Sequence, residues 1–313
     1  SLWNSKAPVI NKKKLNYFQP NILNLEDRIT PAQTVSLTLN AGVLEIKSNT
    51  SSGETNNFTV TQDSPSSNFI RFTGAGGTVF TGNAALFTSG FNTSLAEVNS
   101  LNLTAFNKIL VYGGQGNDLV TLGNLNGNVI GAVAQPNFGF EVDVLTTAGG
   151  SSLGADTLII SGSVVMKNAG VFTTDVSNNV QVAANLDSIT ISNSGAITSV
   201  GSGLVRLVAD GTNLSDVNIN NGGQINIGSG SVYLRAGANG SDRLNGNAIT
   251  TVGGPILFDS VVTLESSTLI STGLGSGGVN FNFAVQGVSV ASQNLTVLTS
   301  GAVSFSGNVG TTI

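Results

Sequence analysis

The chain has 313 residues, a formal net charge of −5, and neither cysteine nor histidine. Disulfides, thiol chemistry, imidazole catalysis and serine or cysteine triads are therefore excluded, and the negative charge disfavours nucleic acid and anionic membranes as partners. Charged residues make up only 9% of the chain, while 40 residues are glycine. This composition removes most of the material for exposed helices and predicts an all-β protein with many turns.

Residues 1–33 differ from the rest and are predicted to form an N-terminal arm. They contain the run Lys12-Lys13-Lys14, the only tryptophan, and the segment LEDRITPA from Leu25 to Ala32. This segment resembles the LEDR-x-TPA stretch, a relative of the LEPR-XLL segment, near the N-terminus of many large planctomycete surface or secreted proteins. In those proteins a basic stretch precedes the motif and Gly/Thr/Asn-rich β repeats follow it. The resemblance implies a sorting or processing role and an extracellular or cell-surface location in a bacterium.

Residues 34–127 are predicted to form a β-rich cap. Apolar and polar residues alternate there with a period of two, which is typical of strands with one buried face. The predicted strands are Val35–Leu39, Val43–Ile46, Phe58–Thr61, Phe69–Phe72, Thr78–Phe80, Leu101–Leu103 and Ile109–Tyr112. A cap here would cover the open hydrogen-bonding edge of the repeats that follow. The alternative is a small separate β domain.

The segment Gly113 to Thr121 matches the calcium-binding nonapeptide pattern G-G-x-G-x-D-x-U-x at every fixed position. In that pattern glycines form tight turns and the aspartate supplies a hard oxygen ligand for Ca²⁺. The candidate metal-site residues are therefore Gly114, Gly116 and Asp118. In the RTX family, which the motif resembles, ligands come from consecutive repeats, and Asn128 takes the aspartate position in a degraded second copy. The alternative is that Asp118 accepts hydrogen bonds from nearby backbone N–H groups.

Carboxylates are the remaining candidates for chemistry. Partial copies of the motif, with the pattern Gly-x-Asp-x-Leu, surround Asp156 and Asp242. Glu141 and Asp143 lie two residues apart, so on a strand they would share one face and could hold a cation or raise the pKa of one carboxyl. The alternative for this pair is a solvated strand face. We expect no catalytic residue and no organic cofactor, with Ca²⁺ as the one candidate ion.

Residues 128–313 are predicted to form a right-handed parallel β-helix, that is, a β-solenoid. From Leu186 onward, short Val/Ile/Leu/Thr runs recur every 20 to 28 residues between Gly/Ser/Asn turns. One series occupies 195–198, 223–226, 247–250 and 267–270, and a second occupies 204–207, 232–235, 256–258 and 279–283. A unit this short cannot bury its own apolar face, so it must stack on copies of itself.

Two groups of side chains in these repeats have competing interpretations. Phe258, Phe281, Phe283 and Phe305 are interpreted as core residues, with sugar-stacking platforms as the alternative. Arg206 and Arg235 are predicted to occupy equivalent places in successive repeats, as an outward stack and not as a substrate clamp.

The repeats resemble the haemagglutinin-like and passenger-like β-helices of bacterial surface proteins. The resemblance implies a non-catalytic segment of a large cell-surface or secreted protein with an adhesive or structural role. Its partners would be a surface polysaccharide or other surface proteins, without nucleic acid and without membrane insertion. The start at Ser1 and the stop at Ile313 in mid-repeat favour a fragment of a longer protein. The alternatives are a polysaccharide-active β-helix enzyme that uses carboxylates and an RTX-like calcium-binding repeat protein.

Overall fold

The structure, a computed structural model, describes residues 33–48, 55–113, 117–143, 156–174, 186–209, 216–220, 222–237, 239–246, 248–288 and 293–310. These residues all belong to one unit, Gln33–Ile313. The predicted arm at 1–33 lies outside the described residues except for Gln33. The described chain is built from strands, with one four-residue helix and two three-residue 3-10 segments. The all-β prediction is confirmed.

The first region contains strands that pair largely antiparallel. They are β1 (Thr34–Asn40), β2 (Val43–Ser48), β3 (Asn57–Gln62), β4 (Phe69–Ala75), β5 (Val79–Gly82), β6 (Phe87–Ser89), β7 (Leu95–Asn99) and β8 (Lys108–Tyr112). Antiparallel pairs join β1 to β2, β3 to β4, β4 to β7 and β6 to β7. In turn, β2 and β3 each pair in parallel with a later strand. This region therefore forms one end of two sheets whose other strands run parallel.

The remaining strands follow one another in groups of three. They are β9 (Leu119–Leu122), β10 (Leu125–Asn126), β11 (Gly139–Asp143), β12 (Asp156–Ile160), β13 (Ser163–Val165), β14 (Val171–Thr173), β15 (Leu186–Ile191), β16 (Ala196–Ser199), β17 (Leu204–Ala209), β18 (Asp216–Ile219), β19 (Gln224–Ile227), β20 (Val232–Ala236), β21 (Ser241–Leu244), β22 (Ala248–Thr251), β23 (Ile256–Phe258), β24 (Val261–Leu264), β25 (Thr268–Gly273), β26 (Val279–Phe281), β27 (Val285–Gly287), β28 (Leu295–Thr299) and β29 (Val303–Phe305). A short helix, α1 (Gly127–Ile130), follows β10.

We call each group of three strands, from β9–β11 to β27–β29, a repeat. The first strands of the repeats lie in one sheet (sheet I), the second strands in another (sheet II) and the third strands in a third (sheet III). Each strand pairs in parallel with its counterpart in the next repeat, as β16 does with β19 and β19 with β22. The repeats begin at Leu119, so the predicted boundary between 127 and 128 falls within α1 of the first repeat.

In many of the strands buried side chains alternate with more exposed ones, as in the burial patterns of β16, β19 and β22. In sheet II the buried residues Ile197, Ile225 and Ile249 stand in register, and Ile270 follows them. Burying one such aliphatic side chain contributes about 1.5–3 kcal/mol, which offsets part of the conformational entropy that is lost when a short strand becomes ordered. Stacked aliphatic columns of this kind hold the repeats together.

Glycine is required where the chain turns from sheet II to sheet III. A Cβ atom on Gly230 would lie 1.6 Å from the carbonyl oxygen of Gly203, and one on Gly254 would lie 1.5 Å from that of Gly230. No side chain fits between backbones this close. The Gly/Ser/Asn turns seen in the sequence therefore set the stacking distance at this corner.

Candidate functional site

Asp118 lies immediately before β9 and is 2% exposed. Its Oδ1 accepts hydrogen bonds from the backbone N–H of Asn56 at 2.7 Å and from Asn56 Nδ2 at 3.1 Å. In the next strand of sheet I, Asp156 Oδ1 accepts the backbone N–H of Asp118 at 2.7 Å. Because Asn57, Leu119 and Thr157 are in register, the residues before them form a column. We call Asn56, Asp118 and Asp156 the aspartate column.

The aspartate column is electrostatically costly. Burial raises the pKa of Asp118 to about 6, and the two hydrogen bonds from Asn56 act in the opposite direction. Asp118 Oδ2 and Asn56 Oδ1 are buried and accept no hydrogen bond. A buried, ionised carboxylate is unfavourable without a compensating partner. The surroundings of Asp118 therefore favour either protonation of its carboxyl group or binding of a cation beside it.

The other predicted metal-site residues are Gly114, Gly116 and Asn128. Gly114 and Gly116 lie outside the described residues. Asn128 is exposed on α1, where its backbone N–H donates to Asn126 Oδ1 at 3.1 Å. Within the ranges that the structure describes, no three acidic side chains converge as a metal-binding group. The column thus offers two carboxylates and one amide oxygen from successive strands.

Glu141 forms an ion pair with Lys108, with 2.6 Å between Oε2 and Nζ. The two residues lie on the neighbouring parallel strands β11 and β8. The side chain of Asp143, its predicted partner in chemistry, lies outside the described part of the structure. The Glu141 carboxylate is therefore paired with a lysine side chain.

Asp242 occupies an inward position that other strands fill with apolar residues. The column of sheet I that contains it runs Val120, Leu158, Ile189, Val217, Asp242, Val262 and Val285. Asp242 is fully buried, and its Oδ2 accepts the hydroxyl of Ser260 at 2.6 Å. Burial first, and then the charges of Asp259 and Asp216, raise the pKa of Asp242 to about 7, while the Ser260 hydrogen bond lowers it.

An open cleft of about 310 Å³ lies beside Asp242. Its lining includes Arg235, Asp259, Ser260 and Phe283. Ser260 therefore links the cleft to the core: its Oγ donates to Asp242 and accepts the backbone N–H of Ala236 at 3.0 Å. The ring of Phe283 is 49% exposed. The cleft thus combines the ring of Phe283, the guanidinium of Arg235 and the carboxylate of Asp259 with a serine that is hydrogen-bonded to the buried Asp242.

Hydrogen bonds fix the polar side of this cleft. Asp259 Oδ2 accepts the Tyr233 hydroxyl at 2.7 Å, and Asp259 Oδ1 accepts Asn282 Nδ2 at 2.8 Å. Arg235 hydrogen-bonds to Tyr233, and the Arg206 guanidinium lies 4.1 Å from the Tyr233 ring centroid. Burial and the contact with Asp259 raise the pKa of Tyr233. We call Tyr233, Arg235, Asp259 and Asn282 the polar network.

The register around Tyr233 corrects one prediction. Arg206 stands opposite Tyr233, and Arg235 stands opposite Val208. The two arginines are therefore not equivalent in successive repeats, because Arg235 lies two residues beyond Tyr233, the residue that stands opposite Arg206. The guanidinium of Arg206 stacks on an aromatic ring instead of on another arginine.

The four phenylalanines divide between the two interpretations. Phe258 and Phe281 are fully buried and their rings stack with centroids 4.9 Å apart, which confirms the core interpretation for these two. Phe305 stacks on Phe281 at 4.7 Å but is 42% exposed. Phe283 lines the cleft, so the sugar-platform alternative stays open there.

The chain matches no protein-family model, no curated protein and no solved structure. No helical segment in the described ranges has both the length and the apolar character that crossing a bilayer requires. Function is therefore inferred from the residues of this chain alone.

Proposed function

We propose that the repeats wind as a right-handed parallel β-helix and that the chain is a non-catalytic segment of a large bacterial cell-surface or secreted protein. Its role would be adhesive or structural. The support for the winding is the fixed order in which successive strands enter sheets I, II and III, with parallel pairing between repeats. Stacked repeats of this kind provide long, regular faces that can serve as extended binding surfaces.

The observation that carries the proposed role is the repetition of polar side chains on the outward faces. Asn226 and Thr250 hydrogen-bond to each other across neighbouring repeats, and Ser304 Oγ donates to Asn280 Oδ1 at 2.8 Å. These residues occupy register-matched positions on paired strands. A regular array of hydroxyl and amide groups suits contact with an extended polar partner, such as a polysaccharide, over many weak hydrogen bonds.

Location is tested on intact cells of the organism that encodes the chain. We expect an antibody raised against residues 33–313 to label unlysed cells or the culture medium, and external protease to remove the cell-bound label. A cytoplasmic protein serves as the control and must stay protected. Label that appears only after lysis would overturn the proposed location.

The enzyme alternative is tested by incubating the purified chain with acidic and neutral polysaccharides. We expect binding without release of reducing ends or unsaturated products, because no histidine or cysteine is present and Glu141 is paired with Lys108. Turnover that disappears in Glu141→Gln or Asp259→Asn would instead establish carboxylate catalysis.

Calcium binding is a second candidate function, favoured by the buried oxygens of Asp118 and Asn56 that accept no hydrogen bond. A ligand that binds only the folded state at about 100 times its Kd stabilises that state by about 2.7 kcal/mol. In thermal unfolding, the Tm of the wild type and of Asp242→Asn should then be higher in millimolar Ca²⁺ than in EGTA. The Tm of Asp118→Asn should be the same in both solutions. Equal Tm values for the wild type in both solutions would remove this candidate.

A further inference from the structure

We propose that the cleft lined by Asp259, Ser260 and Phe283 binds a neutral sugar unit of a polysaccharide, one that presents an apolar C–H face together with hydroxyl donors. The inference deepens the proposed function and rests on it for its biological setting, because an adhesive surface protein meets such polymers. It assigns one unit of the polymer to one place on the chain. The binding itself follows from the contacts of the cleft.

Phe283 stands at the corner where the chain passes from sheet III to sheet I. The second residue after the sheet III strand is Ser260 in one repeat, Phe283 in the next and Gly307 in the one after. The ring of Phe283 is 49% exposed and lines the cleft. Its backbone is closely packed, because a Cβ on Gly307 would lie 2.5 Å from the carbonyl carbon of Phe283. The chain therefore holds one exposed aromatic ring between repeats that carry small residues at the same corner.

The exposed ring and the size of the cleft suit one pyranose unit. At about 310 Å³ the cleft is at the small end of ligand sites, which span about 300–1,000 Å³. This volume fits one unit of a longer chain better than a large ligand. Covering the exposed part of the Phe283 ring with the C–H face of a sugar would remove apolar surface from water on both partners.

Asp259 is an acceptor that is held in place for the hydroxyl groups of the sugar. It is partly exposed and lines the cleft. Its Oδ2 accepts the Tyr233 hydroxyl at 2.7 Å, and its Oδ1 accepts Asn282 Nδ2 at 2.8 Å. An ionised carboxylate has about four lone-pair sites, so these two hydrogen bonds leave acceptor capacity for ligand hydroxyl groups. Because the side chain is fixed before binding, little conformational entropy is lost when the ligand arrives.

The charges of the lining favour a neutral ligand. Among the described residues that line the cleft, Arg235 carries the positive charge and Asp259 the negative one. Arg235 is already hydrogen-bonded to Tyr233, so the lining presents no surplus charge to a ligand. An ion that entered the cleft would lose hydration without gaining an unmatched partner. Hydroxyl groups can donate to Asp259 without bringing a net charge that needs compensation.

The wall of the cleft is fixed before a ligand arrives. The Oγ of the buried Ser260 donates to Asp242 at 2.6 Å and accepts the backbone N–H of Ala236 at 3.0 Å. Ser260 and Ala236 both line the cleft and belong to consecutive repeats. Their hydrogen bond therefore joins two sides of the cleft. A preformed cleft needs little rearrangement on binding, which favours affinity for a small ligand.

The test is saturation-transfer NMR and calorimetric titration of the purified chain with cellotriose, mannotriose and N-acetylchitotriose. Trigalacturonate and a decaproline peptide represent acidic and peptide ligands. We expect at least one neutral trisaccharide to bind with a Kd of about 1 mM or below and to receive saturation mainly at the C–H protons of one ring face. Phe283→Ala should weaken this binding by about three- to tenfold, because the exposed ring area is lost. Asp259→Asn should weaken it by about tenfold, the worth of one charge-assisted hydrogen bond.

Two variants outside the cleft are the matched controls. Phe91→Ala removes a ring that is 42% exposed between β6 and β7, and Asp63→Asn neutralises an exposed carboxylate that is paired with Arg71. Both should bind like the wild type, and the variants should keep the wild-type far-UV circular dichroism. If Asp259→Asn alters that spectrum, Phe283→Ala alone decides.

Three results would overturn the proposal. The first is that no neutral trisaccharide binds, and the second is that trigalacturonate or decaproline binds more tightly than every neutral sugar. The third is an unchanged affinity in Phe283→Ala or in a correctly folded Asp259→Asn. Each of these results leaves the cell-surface location to be decided by antibody labelling, and an intracellular location would in turn not alter the titration.

Discussion

Asp242→Asn should remove a pH dependence of stability that the wild type shows between about pH 4 and pH 8. Asp242 is fully buried, its Oδ2 accepts the Ser260 hydroxyl at 2.6 Å, and its pKa is raised from 3.8 to about 7. The causes are burial, then the charges of Asp259 and Asp216, against the opposing Ser260 hydrogen bond. Asparagine keeps the shape and the acceptor oxygen but cannot ionise.

The size of this pH dependence follows from the difference between the pKa values of Asp242 in the folded and unfolded states. Because the folded-state pKa lies above the unfolded value, the protonated carboxyl contributes its full stability below the unfolded pKa of 3.8, and this contribution is lost as the pH rises through about 7. One pKa unit corresponds to about 1.36 kcal/mol, so a shift of about three units amounts to roughly 4 kcal/mol. The free energy of unfolding of the part that contains β21 should therefore fall by several kcal/mol over this range. Asp118, with a pKa raised to about 6, adds a smaller fall of the same sign.

Urea unfolding followed by far-UV circular dichroism at pH 4 to 9 measures how steeply the free energy of unfolding of the chain falls with pH. Hydrogen exchange of β21 and β24 shows whether the change in stability lies in these strands. The repeats need not unfold as one two-state unit, so the local measurement decides. Asp242→Asn should be more stable than the wild type at pH 8, by about 2–4 kcal/mol, and should show the shallower slope. Asp63→Asn, at an exposed carboxylate paired with Arg71, is the control. Equal slopes in the wild type and Asp242→Asn would refute the reasoning.

Three further predictions concern packing and surface charge. Phe281→Ala, at a buried ring stacked between Phe258 and Phe305, should lower the free energy of unfolding by about 3–5 kcal/mol. Phe305→Ala should cost clearly less, since that ring is 42% exposed; urea unfolding compares the two. Gly254→Ala should lower Tm by several degrees in a thermal melt, because its Cβ would lie 1.5 Å from a backbone oxygen. Arg243→Gln should change stability by less than about 1 kcal/mol in melts at low and high salt, because the Arg243 side chain is 40% exposed.

Each of these predictions has an opposing result. Equal losses in Phe281→Ala and Phe305→Ala would mean that the stack is equally solvated along its length. A wild-type Tm in Gly254→Ala would mean that the corner is wider than the carbonyl distance allows. A large, salt-sensitive loss in Arg243→Gln would mean that its ion pair with Glu265 is effectively buried.

The spacing of apolar residues in the sequence predicted the register of neighbouring repeats correctly where each strand offered a single large aliphatic residue. Ile197, Ile225 and Ile249 stand in register as the sequence indicated. The next step slipped by one residue, since Ile270 and not Leu269 faces inward in register with Ile249. Both positions are apolar, so spacing could not choose between them. The predicted strand at Leu101–Leu103 was wrong, because Ser100–Asn102 forms a 3-10 turn that Asn99 caps by accepting the Leu101 N–H.

The polar sites were only partly visible in the sequence. The pattern Gly-x-Asp followed two residues later by Leu or Val marks Asp118, Asp156 and Asp242. All three are buried, Asp156 and Asp242 in strands of sheet I and Asp118 immediately before one. The partner Asn56 carries no such signal, since it lies 62 residues before Asp118 and meets it only through strand pairing. The polar network was missed for the same reason, although Asp259 and Asn282 each directly follow one of the stacked phenylalanines.

The departure of Asp242 from the apolar rule has a consequence for how the cleft could have arisen. In a stack of equivalent repeats, an inward carboxyl is disfavoured at every level, since isolated burial of a charge costs more than a lost methyl contact. It becomes tolerable where a neighbouring repeat supplies a hydroxyl, as Ser260 does here at 2.6 Å. The same serine lines the cleft, directly after Asp259. A repeat that gained Ser260 for the cleft could therefore accept Asp242 behind it, whereas a repeat with an aliphatic residue in that place could not.

Ser260→Ala should consequently destabilise the wild type more than it destabilises Asp242→Val, where the buried carboxyl is gone. A double-mutant cycle of urea unfolding measures the coupling between Ser260 and Asp242. Additive losses would mean that the two residues are independent and that the cleft and the buried carboxyl have no common cause.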